Sequence, residues 1–501
     1  MKHILLFGAG KSATALIHYL ISEAPANKWH IKICDSDAAI ARSKAGESTH
    51  ATVIAADVRN EEERSPLVQS ADIVISLLPP NLHFLVARDC LRFGRNLLTA
   101  SYIDPNIQDL SEEIRRKGLL FLCEMGLDPG IDHMSAMKLI NKIRSQGGSI
   151  DTFRSHCGGL IAPESDDNPW RYKISWNPRN IVLAGKAGAD FRDRGNNTHY
   201  SYEVLFDPER LVTIPALGDL SWYPNRDSLN YVPVYKLESA NTFVRTTLRY
   251  PEFCFGWKNL IDLKLTDETI QYETDGMSLL EFFQQHFKKY GFSNWIEKQL
   301  TSRFTQTKAL LEKLQQLLEA EEEASISEHK DMQEFMAVDD KGELMDINLD
   351  EVKTNATATA AGTMHEANLA IKQLYFLGMN DEELIINKGK CSAADVLQFA
   401  LERKLALKES DRDMIVMLHE IGFTKDGKKH TARSSLIEKG MDHQRTAMAK
   451  TVGLPLGIAA KLILQEKISL KGLHIPVSQE IYEPVLAELE KMGIQFEETI
   501  L

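Results

Sequence analysis

Residues 4–13 are Ile-Leu-Leu-Phe-Gly-Ala-Gly-Lys-Ser-Ala, and this stretch decides the fold. The four apolar residues predict a short buried strand, and the two glycines predict a tight turn directly after it. Beyond the turn, Leu16, Ile17 and Leu20 recur at helical spacing. A strand, a glycine turn and a helix in this order form the context of a dinucleotide-binding fingerprint.

Each small residue of the turn has an expected role. Gly8 suits the tight turn, Gly10 lets the backbone approach a pyrophosphate, and Ala13 lets the helix pack closely on the strand. The first N–H groups of the helix also present a partial positive charge to the phosphates. We therefore expect the nucleotide to contact Gly8, Gly10, Lys11, Ser12 and Ala13.

The second predicted strand, 31–34, is followed by Asp35. A carboxylate at this position can accept hydrogen bonds from both ribose hydroxyls of NAD, and it repels the 2′-phosphate of NADP. The alternative role for Asp35 is to cap the next helix. Arg42 and Lys44 follow, and their charges could still accommodate a 2′-phosphate. The sequence thus predicts NAD as cofactor, with NADP possible.

Strands and helices go on alternating up to about residue 125. The run 51–54 is strand-like and leads to Asp57-Val58, and the run 72–78 is a buried strand that stops at two prolines. A helix over 83–93 and a strand over 96–100 follow. This alternation predicts a Rossmann-type parallel sheet with ligands at the carboxyl ends of its strands. The other expected nucleotide contacts are Ser36, Asp57, Val58, Ser76, Leu77, Leu78, Pro79, His83, Ser101 and Tyr102.

From residue 99 onward the chain carries a series of distinctive motifs. In order they are Thr99-Ala100-Ser101-Tyr102, Gly126-Leu127-Asp128-Pro129-Gly130-Ile131-Asp132-His133, Cys157-Gly158-Gly159, Ala162-Pro163-Glu164, Asp167-Asn168-Pro169, Tyr172-Lys173, Ser175-Trp176, Tyr223-Pro224-Asn225-Arg226-Asp227-Ser228, Thr247-Leu248-Arg249-Tyr250, Asp413-Met414-Ile415-Val416-Met417 and Ala447-Met448-Ala449-Lys450-Thr451-Val452-Gly453-Leu454-Pro455. In content and order they resemble those of the saccharopine reductase family, the L-glutamate-forming saccharopine dehydrogenases. The resemblance spans nearly the whole chain.

The resemblance implies an NAD(P)-dependent oxidoreductase of lysine metabolism that acts on a CH–NH group. Such an enzyme oxidises saccharopine to glutamate and 2-aminoadipate 6-semialdehyde, or runs the reverse reductive condensation. Two alternatives stay open: a related dehydrogenase for another secondary-amine dicarboxylate of the carboxynorspermidine type, and a non-catalytic nucleotide-binding relative. The resemblance also implies a homodimer.

Saccharopine carries three carboxylates and a secondary amine, so its site needs guanidinium groups that bind carboxylates through paired hydrogen bonds. Arg226 lies in a Pro-Asn-Arg-Asp turn, and Arg245 and Arg249 lie four residues apart in a Thr-rich stretch. A surface ion pair is the alternative for any one of them. With the resemblance, the expected substrate contacts are Ser101, Asp128, Cys157, Gly158, Lys173, Trp176, Arg226, Arg245 and Thr246.

Asp128 and Tyr102 are the predicted catalytic residues. Asp128 lies between Gly-Leu and Pro-Gly in a rigid turn. A buried carboxylate there could stabilise the protonated amine or imine, or orient the hydrolytic water. The alternative is that it caps a helix starting near Ile131. Asp132 and His133 are assigned to that helix start, and no cluster with metal-ligand spacing accompanies them, so no metal is expected.

Two further expectations concern the substrate side. Cys157 is expected to line the site without acting as a nucleophile, and Gly158 is expected to permit close approach of the backbone to a ligand. The run 172–176 alternates like a strand and brings Lys173 and Trp176 with it. Trp176 could donate its indole N–H to a carboxylate, or it could be a core residue.

The fold class predicted is α/β, with a discontinuous Rossmann-type domain, a substrate domain with a mixed sheet, and a helical subdomain. The 414–436 segment contains an Asp-Gly turn and predicts a β-hairpin, and 447–464 predicts an apolar helix broken at Gly453 and Pro455. The expected domain limits are 1–128 with 445–485 for the nucleotide, 129–265 with 410–444 for substrate and dimerisation, and 266–409 for the helical part with an acidic, low-complexity insertion at about 320–362.

Composition limits the partners and the compartment. The net charge of −13 argues against a nucleic-acid or anionic-membrane surface, but it does not exclude the anionic small-molecule substrate that the resemblance implies. The six cysteines are scattered without a framework, which is typical of reduced thiols. The N-terminus leads directly into the first strand without the pattern of a signal peptide. The expected location is the cytoplasm, without membrane association.

Overall fold

A computed structural model describes residues 1–295, 297–298, 335–338, 344–347, 366 and 368–500. Most of the predicted acidic insertion at about 320–362 lies outside the described residues. The chain forms two compact units. The first comprises Met1–Asp167, Arg171–Cys254 and Leu405–Leu501, and the second comprises Asn168–Trp170 and Phe255–Lys404.

The strands and helices are numbered in chain order. The strands are β1 Lys2–Phe7, β2 Trp29–Asp35, β3 Ala51–Ala55, β4 Ile73–Ser76, β5 Asn96–Thr99, β6 Leu120–Leu122, β7 Ser149–Ile161, β8 Ala189–Asp193, β9 Asn196–Tyr200, β10 Leu211–Ile214, β11 Gly218–Pro224, β12 Thr242–Arg249, β13 Ile270–Glu273, β14 Phe335–Val338, β15 Leu344–Ile347, β16 Lys390–Ser392, β17 Asp413–Lys425, β18 Lys428–Lys439, β19 Gly472–His474 and β20 Glu497–Ile500. The helices are α1 Thr14–Asn27, α2 Ala38–Ala45, α3 Glu61–Gln69, α4 His83–Phe93, α5 Pro105–Gln108, α6 Ser111–Arg116, α7 Ile131–Ser145, α8 Pro178–Val182, α9 Tyr202–Leu205, α10 Pro251–Asp262, α11 Leu279–Tyr290, α12 Ala393–Lys404, α13 Ala447–Leu464 and α14 Gln479–Lys491.

The first unit contains a parallel sheet with the order β19-β6-β5-β4-β1-β2-β3. All of its strand pairs are parallel. Both faces are buried: Ile4 and Leu6 of β1 belong to one apolar cluster, and Leu5 and Phe7 belong to the other. The chain reverses its direction of winding between β1 and β4, where open sheets of this kind bind their ligands. The predicted Rossmann-type sheet is confirmed.

The first unit also contains a mixed sheet with the order β10-β11-β12-β7-β17-β18-β20, to which β8 and β9 are added beside β12. β12 and β7 run parallel, whereas β7 and β17 run antiparallel. β17 and β18 pair from Met414 and Lys439 to the turn at Asp426-Gly427. The predicted hairpin and mixed sheet are both confirmed.

Helix α13 is continuous from Ala447 to Leu464, so the predicted break at Gly453 and Pro455 is wrong. A side chain at Gly453 would lie 2.8 Å from the backbone nitrogen of Leu16, which shows that the glycine lets α1 pack closely on α13. Among the described residues this is the one helix long and apolar enough to cross a membrane. Because 67% of it is buried inside the protein, it is weak evidence for a span.

The second unit is built largely from helices α11 and α12 and the two-stranded sheet of β13 and β16. A capping box begins α11: Ser278 accepts a hydrogen bond from the Glu281 N–H, and Glu281 accepts one from the Ser278 N–H. Helices α11 and α12 both lie within residues 266–409, for which the sequence predicted a helical part.

Candidate active site

The glycine turn after β1 has the geometry that a pyrophosphate needs. Gly8 has φ +96°, and a Cβ there would lie 2.6 Å from the Leu77 carbonyl oxygen at the end of β4. A Cβ at Gly10 would meet nothing within 4 Å, so this side of the turn is open. A short 3-10 turn over Lys11–Ala13 leads into α1. The predicted turn residues therefore fit a dinucleotide placed against the helix start.

Asp35, the last residue of β2, accepts a hydrogen bond from this turn. One carboxylate oxygen accepts the Ala9 N–H at 2.7 Å, and the other accepts the Asp37 N–H at 2.9 Å. Asp37, rather than Asp35, caps α2, and Ser36 lies between them. The Asp35 carboxylate is thus held by backbone donors, which weakens the sequence argument that it selects against a 2′-phosphate.

Lys44, which the sequence analysis placed only after Asp35 along the chain, lies directly at the glycine turn. The Lys44 ammonium donates hydrogen bonds to the carbonyls of Ala9, at 2.7 Å, and Gly10. Burial lowers the pKa of Lys44 to about 8, although the nearby Asp35 opposes the shift. The turn therefore carries a cation beside the position expected for the nucleotide phosphates.

A buried histidine joins the carboxyl ends of β4 and β5. The two ring nitrogens of His83 lie 2.8 Å from the hydroxyls of Ser76 and Ser101. Burial lowers the pKa of His83 to about 4, so the ring is neutral at physiological pH. The structure thus brings together three of the residues predicted for the nucleotide.

The remaining predicted nucleotide contacts lie nearby along the chain. Leu77, Leu78 and Pro79 directly follow β4. Asp57 and Val58 follow β3, but the Asp57 carboxylate is exposed and forms a 2.8 Å ion pair with Arg59. The Lys11 ammonium is turned toward the Ile174 carbonyl oxygen, 3.3 Å away.

Asp128, Arg245 and Asp132 form the charged centre of the site. The Arg245 guanidinium donates to Asp128 at 2.5 Å and to Asp132 at 2.7 Å. It also lies 4.5 Å from the centre of the Tyr231 ring. Asp128 follows β6, Asp132 lies in the first turn of α7, and Arg245 lies on β12, so the centre joins the two sheets of the first unit. Asp128 is not the cap of α7.

Tyr102 and Arg226 complete this centre. The Arg226 guanidinium lies 5.0 Å from the centre of the Tyr102 ring, and that of Arg245 lies 5.9 Å from it. Arg226 has φ +51° and an exposed side chain. Burial raises the pKa of Tyr102 well above its usual range, although Arg245 opposes the shift. The tyrosine is therefore a neutral hydrogen-bond donor at physiological pH.

The surroundings shift the pKa values of the two carboxyl groups of the centre in opposite directions. Burial raises the pKa of Asp128 to about 6, and Arg245 limits the rise. Burial acts on Asp132 in the same sense, but His133 and Arg245 outweigh it and lower its pKa. Asp132 thus stays ionised, whereas Asp128 titrates close to neutral pH. A carboxyl group poised in this way is suited to accept and return a proton.

Sequence reasoning missed a buried hydrogen-bond network that lies next to this centre. Glu124, which is buried, accepts hydrogen bonds from His133 Nε2 at 2.8 Å and from the Tyr231 hydroxyl at 3.0 Å. His133 Nδ1 lies 2.5 Å from the Tyr235 hydroxyl. Glu124 follows β6, so its position at a strand end could have marked it. No signal in the sequence joins the two tyrosines to it.

Thr246 and Gly158, two of the predicted substrate contacts, contact other parts of the protein, whereas Cys157 lies beside Thr247 on the same face of the sheet as Arg245. The Thr246 hydroxyl lies 2.7 Å from His156 Nδ1, on the opposite face of β12 from Arg245. A Cβ at Gly158 would lie 2.5 Å from the Leu248 carbonyl oxygen, so close packing on β12 requires a glycine here. Burial raises the pKa of Cys157 well above its usual range, which leaves a neutral thiol.

The predicted strand over 172–176 is wrong. The segment is an irregular connection with a single bridge between Ile174 and Ala406. Burial does not alternate along it, because Lys173 is also buried and forms ion pairs with Asp411 at 2.7 Å and Asp167 at 2.8 Å. Trp176 donates its indole N–H to the Tyr172 hydroxyl at 3.0 Å.

The parallel sheet, the open glycine turn and the buried acid–arginine centre define a nicotinamide-nucleotide-dependent oxidoreductase. The model for the saccharopine dehydrogenase NADP binding domain matches residues 4–122, and that for the saccharopine dehydrogenase C-terminal domain matches residues 126–494. The chain belongs to the saccharopine dehydrogenase family.

Its relatives include single-activity enzymes and longer proteins. The saccharopine dehydrogenase [NADP(+), L-glutamate-forming] of Pyricularia oryzae is 32% identical over 90% of this chain and 89% of its own length. The protein of that name from Saccharomyces cerevisiae is 30% identical over 99% of each chain. The alpha-aminoadipic semialdehyde synthase of Arabidopsis thaliana is 34% identical, but this chain covers only 38% of it.

Two solved structures share this fold. The apo saccharopine dehydrogenase (L-Glu forming) from Saccharomyces cerevisiae matches with a TM-score of 0.77 and 27% identity over all of both chains. The homospermidine synthase of Legionella pneumophila, in complex with NAD, matches with a TM-score of 0.50 over all of this chain and 91% of its own. At 9% identity, the latter match concerns the fold alone.

Proposed function

We propose that this protein is an L-glutamate-forming saccharopine dehydrogenase of lysine metabolism. It converts saccharopine, NADP+ and water to glutamate, 2-aminoadipate 6-semialdehyde, NADPH and a proton, and the reverse condensation uses the same site. The observation that carries the proposal is the centre of Asp128, Arg245 and Tyr102 at the carboxyl ends of the nucleotide-binding sheet, in which Arg245 is buried and the other two side chains are partly exposed. The names of the full-length fungal relatives support it.

The residues of the centre fit the two chemical stages. When bound, the nicotinamide accepts a hydride from the lysyl ε-carbon, which leaves a carbon–nitrogen double bond in the substrate. Water then adds to that carbon, and cleavage of the carbon–nitrogen bond releases glutamate. Asp128 can take the proton of the attacking water, because it is largely ionised at neutral pH, and can return it to the departing nitrogen. Arg245 keeps Asp128 in place, and Arg226 is available to a substrate carboxylate.

NADP+ is the cofactor we propose. The relatives carry NADP(+) in their names, in contrast to the NAD that the sequence put first. Two features support the change: each oxygen of Asp35 already accepts one backbone N–H, and the Lys44 ammonium lies at the glycine turn. The substitution Lys44→Met should weaken NADP+ binding more than NAD+ binding, measured by fluorescence titration. Equal weakening would contradict this role.

The same site disfavours the alternative substrates. A polyamine is cationic, so its site would require acidic walls. Here Arg226 lies over the Tyr102 ring, Arg245 donates to Asp128, and Arg249 lies further along the same strand as Arg245. Against a non-catalytic relative stands the arrangement of Asp128 and Tyr102 around Arg245, together with the raised pKa of Asp128, a combination typical of catalytic sites.

The test is a saccharopine-dependent assay run in parallel with NADP+ and NAD+. We expect NADPH to form with saccharopine and not with carboxynorspermidine, and NADP+ to be used at least tenfold more efficiently than NAD+. The control is Asp128→Asn, which should bind NADP+ like the wild type and turn over poorly. No turnover of saccharopine with either nucleotide would refute the proposal.

We also propose a cytoplasmic homodimer. All six cysteines are free and buried, which suits a reducing compartment. The edge strand β10 carries the exposed Leu211, and Val204 is exposed nearby in the chain, as expected of a surface that a second copy covers. Light scattering should give twice the chain mass of 56.5 kDa. A monomer at micromolar concentration would contradict the dimer.

A further inference from the structure

Glu124 holds the backbone on both sides of Tyr102. The Glu124 N–H donates to the Ser101 carbonyl oxygen at 3.1 Å, and its carboxylate oxygen Oε1 accepts the Ile103 N–H at 3.3 Å. Tyr102 is the residue between these two partners. The position of the tyrosine therefore depends on a carboxylate that belongs to a different strand end.

His133 connects the same carboxylate to the charged centre. Its Nε2 lies 2.8 Å from Glu124 Oε2, and its Nδ1 lies 3.8 Å from Asp132 Oδ2. An ionised carboxylate can only accept a hydrogen bond, so Nε2 of the ring carries the proton of this contact. The imidazole is fully buried between the two acids. It thus joins Glu124 to the acid that holds Arg245.

Asp132 in turn holds Asp128 from two directions. One Asp132 oxygen accepts the Arg245 guanidinium at 2.7 Å, and the same guanidinium donates to Asp128. The other Asp132 oxygen accepts the Gly130 N–H at 2.6 Å, in the turn that carries Asp128. A change in the charge or position of Asp132 would therefore reach Asp128 through both its ion pair and its backbone.

The surroundings of His133 come from every element packed against it. The Tyr235 hydroxyl lies 2.5 Å from Nδ1, and the Tyr231 ring stacks on the imidazole with the ring centres 5.1 Å apart. Burial lowers the pKa of the nearby His419 to about 4, so this second histidine carries no charge at neutral pH. Among the described residues, the titratable and charged groups around His133 are Glu124 after β6, Asp128 before α7, Asp132 on α7, Tyr231 and Tyr235 before β12, Arg245 on β12 and His419 on β17.

The backbone of Glu124 is itself unusual. Its φ is +58°, in the left-handed region that a glutamate rarely adopts. Strain of this kind persists only where surrounding contacts hold it, and it clusters at functional sites. A buried carboxylate is also costly unless polar partners compensate for its charge. Both features indicate that Glu124 is retained for the contacts that it makes beside the charged centre.

We propose that Glu124 and His133 are positioning residues for the reaction: Glu124 orients the His133 ring, and the ring holds Asp132 against Arg245. This inference rests on the proposed function. Burial raises the pKa of Asp128 to about 6, and Arg245 and, less strongly, His133 limit the rise. Removal of the histidine should therefore raise the pKa of Asp128 further. The pair thus sets the lowest pH at which Asp128 can act as a base.

The test measures kcat/KM for saccharopine from pH 5 to pH 8 and divides each variant by the wild type. His133→Gln keeps an N–H group for Glu124 but loses the imidazole. Its acid limb should move to higher pH by about 0.5–1. The ratio should therefore be constant near pH 8 and fall about three- to tenfold toward pH 5.

Glu124→Gln should move the acid limb in the same direction, because the ring loses the carboxylate that orients it. If the carboxylate acts through the ring, the double variant Glu124→Gln/His133→Gln should have the same acid limb as His133→Gln alone. Independent shifts that add in the double variant would contradict the coupling between the two residues.

His156→Gln is the matched control. His156 is also buried beside a carboxylate, with Nε2 3.6 Å from Glu420 and Nδ1 2.7 Å from the Thr246 hydroxyl, but it lies on the opposite face of the sheet from Arg245. Any loss in this variant should be the same at every pH, so its acid limb should stay at the wild-type position.

Circular dichroism and NADP+ affinity at each pH show whether a variant is folded, and Glu124→Gln serves if His133→Gln is not. A folded variant that loses the same factor at every pH would overturn the inference, since a merely structural role predicts that result. An acid limb that moves to lower pH would overturn it as well. Absence of saccharopine turnover by the wild type would instead refute the proposed function, and this inference with it.

Discussion

Replacing Asp128 by Asn separates the proposed proton transfer from simple charge pairing. With its pKa raised to about 6 by burial, Asp128 is about nine-tenths ionised at pH 7 and about one-tenth ionised at pH 5. At an ordinary pKa near 4 it would be about nine-tenths ionised at pH 5 and almost fully ionised at pH 7. The variant keeps the shape of the side chain but cannot accept a proton. We expect a loss in kcat/KM for saccharopine of about 10²- to 10⁴-fold at pH 7.

The pH dependence gives the sharper result. The ratio of kcat/KM between wild type and Asp128→Asn cancels the titration of the substrate, which both enzymes share. Because acid protonates the catalytic carboxylate of the wild type, the ratio should fall about tenfold from pH 7 to pH 5. NADP+ affinity and circular dichroism at both pH values control for unfolding. A ratio that stays constant over this range, or a loss below tenfold at pH 7, would refute the role of Asp128 as a base.

Three further predictions concern the supporting structure. Gly8→Ala would place a Cβ 2.6 Å from a carbonyl oxygen at a residue with a left-handed φ. It should therefore lower the free energy of unfolding in urea by about 1–3 kcal/mol and weaken NADP+ binding in a titration. Wild-type values in both measurements would contradict the tight turn. Glu124→Gln weakens the bonds from His133 and Tyr231 and should cost about 1–3 kcal/mol in urea unfolding, with no change if the network is unimportant. His83 should remain neutral in NMR spectra at pH 5.5, and titration near pH 6.5 would contradict its burial between two serines.

The sequence predicted correctly those parts of the fold that depend on residues close together in the chain. The glycine turn, the alternation of strands and helices, and the Asp-Gly hairpin each depend on residues close in the chain, and the structure confirms them. The strand ends also located Ser76 and Ser101, since the carboxyl ends of parallel strands meet at one edge. His83 joins these two serines because its helix starts beside that edge.

What could not be predicted depends on contacts between distant segments. Glu124 and Tyr231 are 107 residues apart, and only the packing of one sheet against the other unites them. The pattern over 172–176 suggested a strand because apolar and polar residues alternate there, but Lys173 is buried by ion pairs with the distant Asp411 and with Asp167. Arg245 contacts Asp132, whereas the adjacent Thr246 contacts His156, because adjacent side chains of a strand point to opposite faces of the sheet.

The most direct test of the central claim follows deuterium from saccharopine into the reduced nucleotide. Saccharopine can be oxidised on either side of its secondary amine, and only oxidation at the lysyl ε-carbon yields glutamate. With saccharopine deuterated at that carbon, we expect mass spectrometry to find labelled NADPH together with glutamate and 2-aminoadipate 6-semialdehyde. Unlabelled NADPH accompanied by lysine and 2-oxoglutarate would contradict the account.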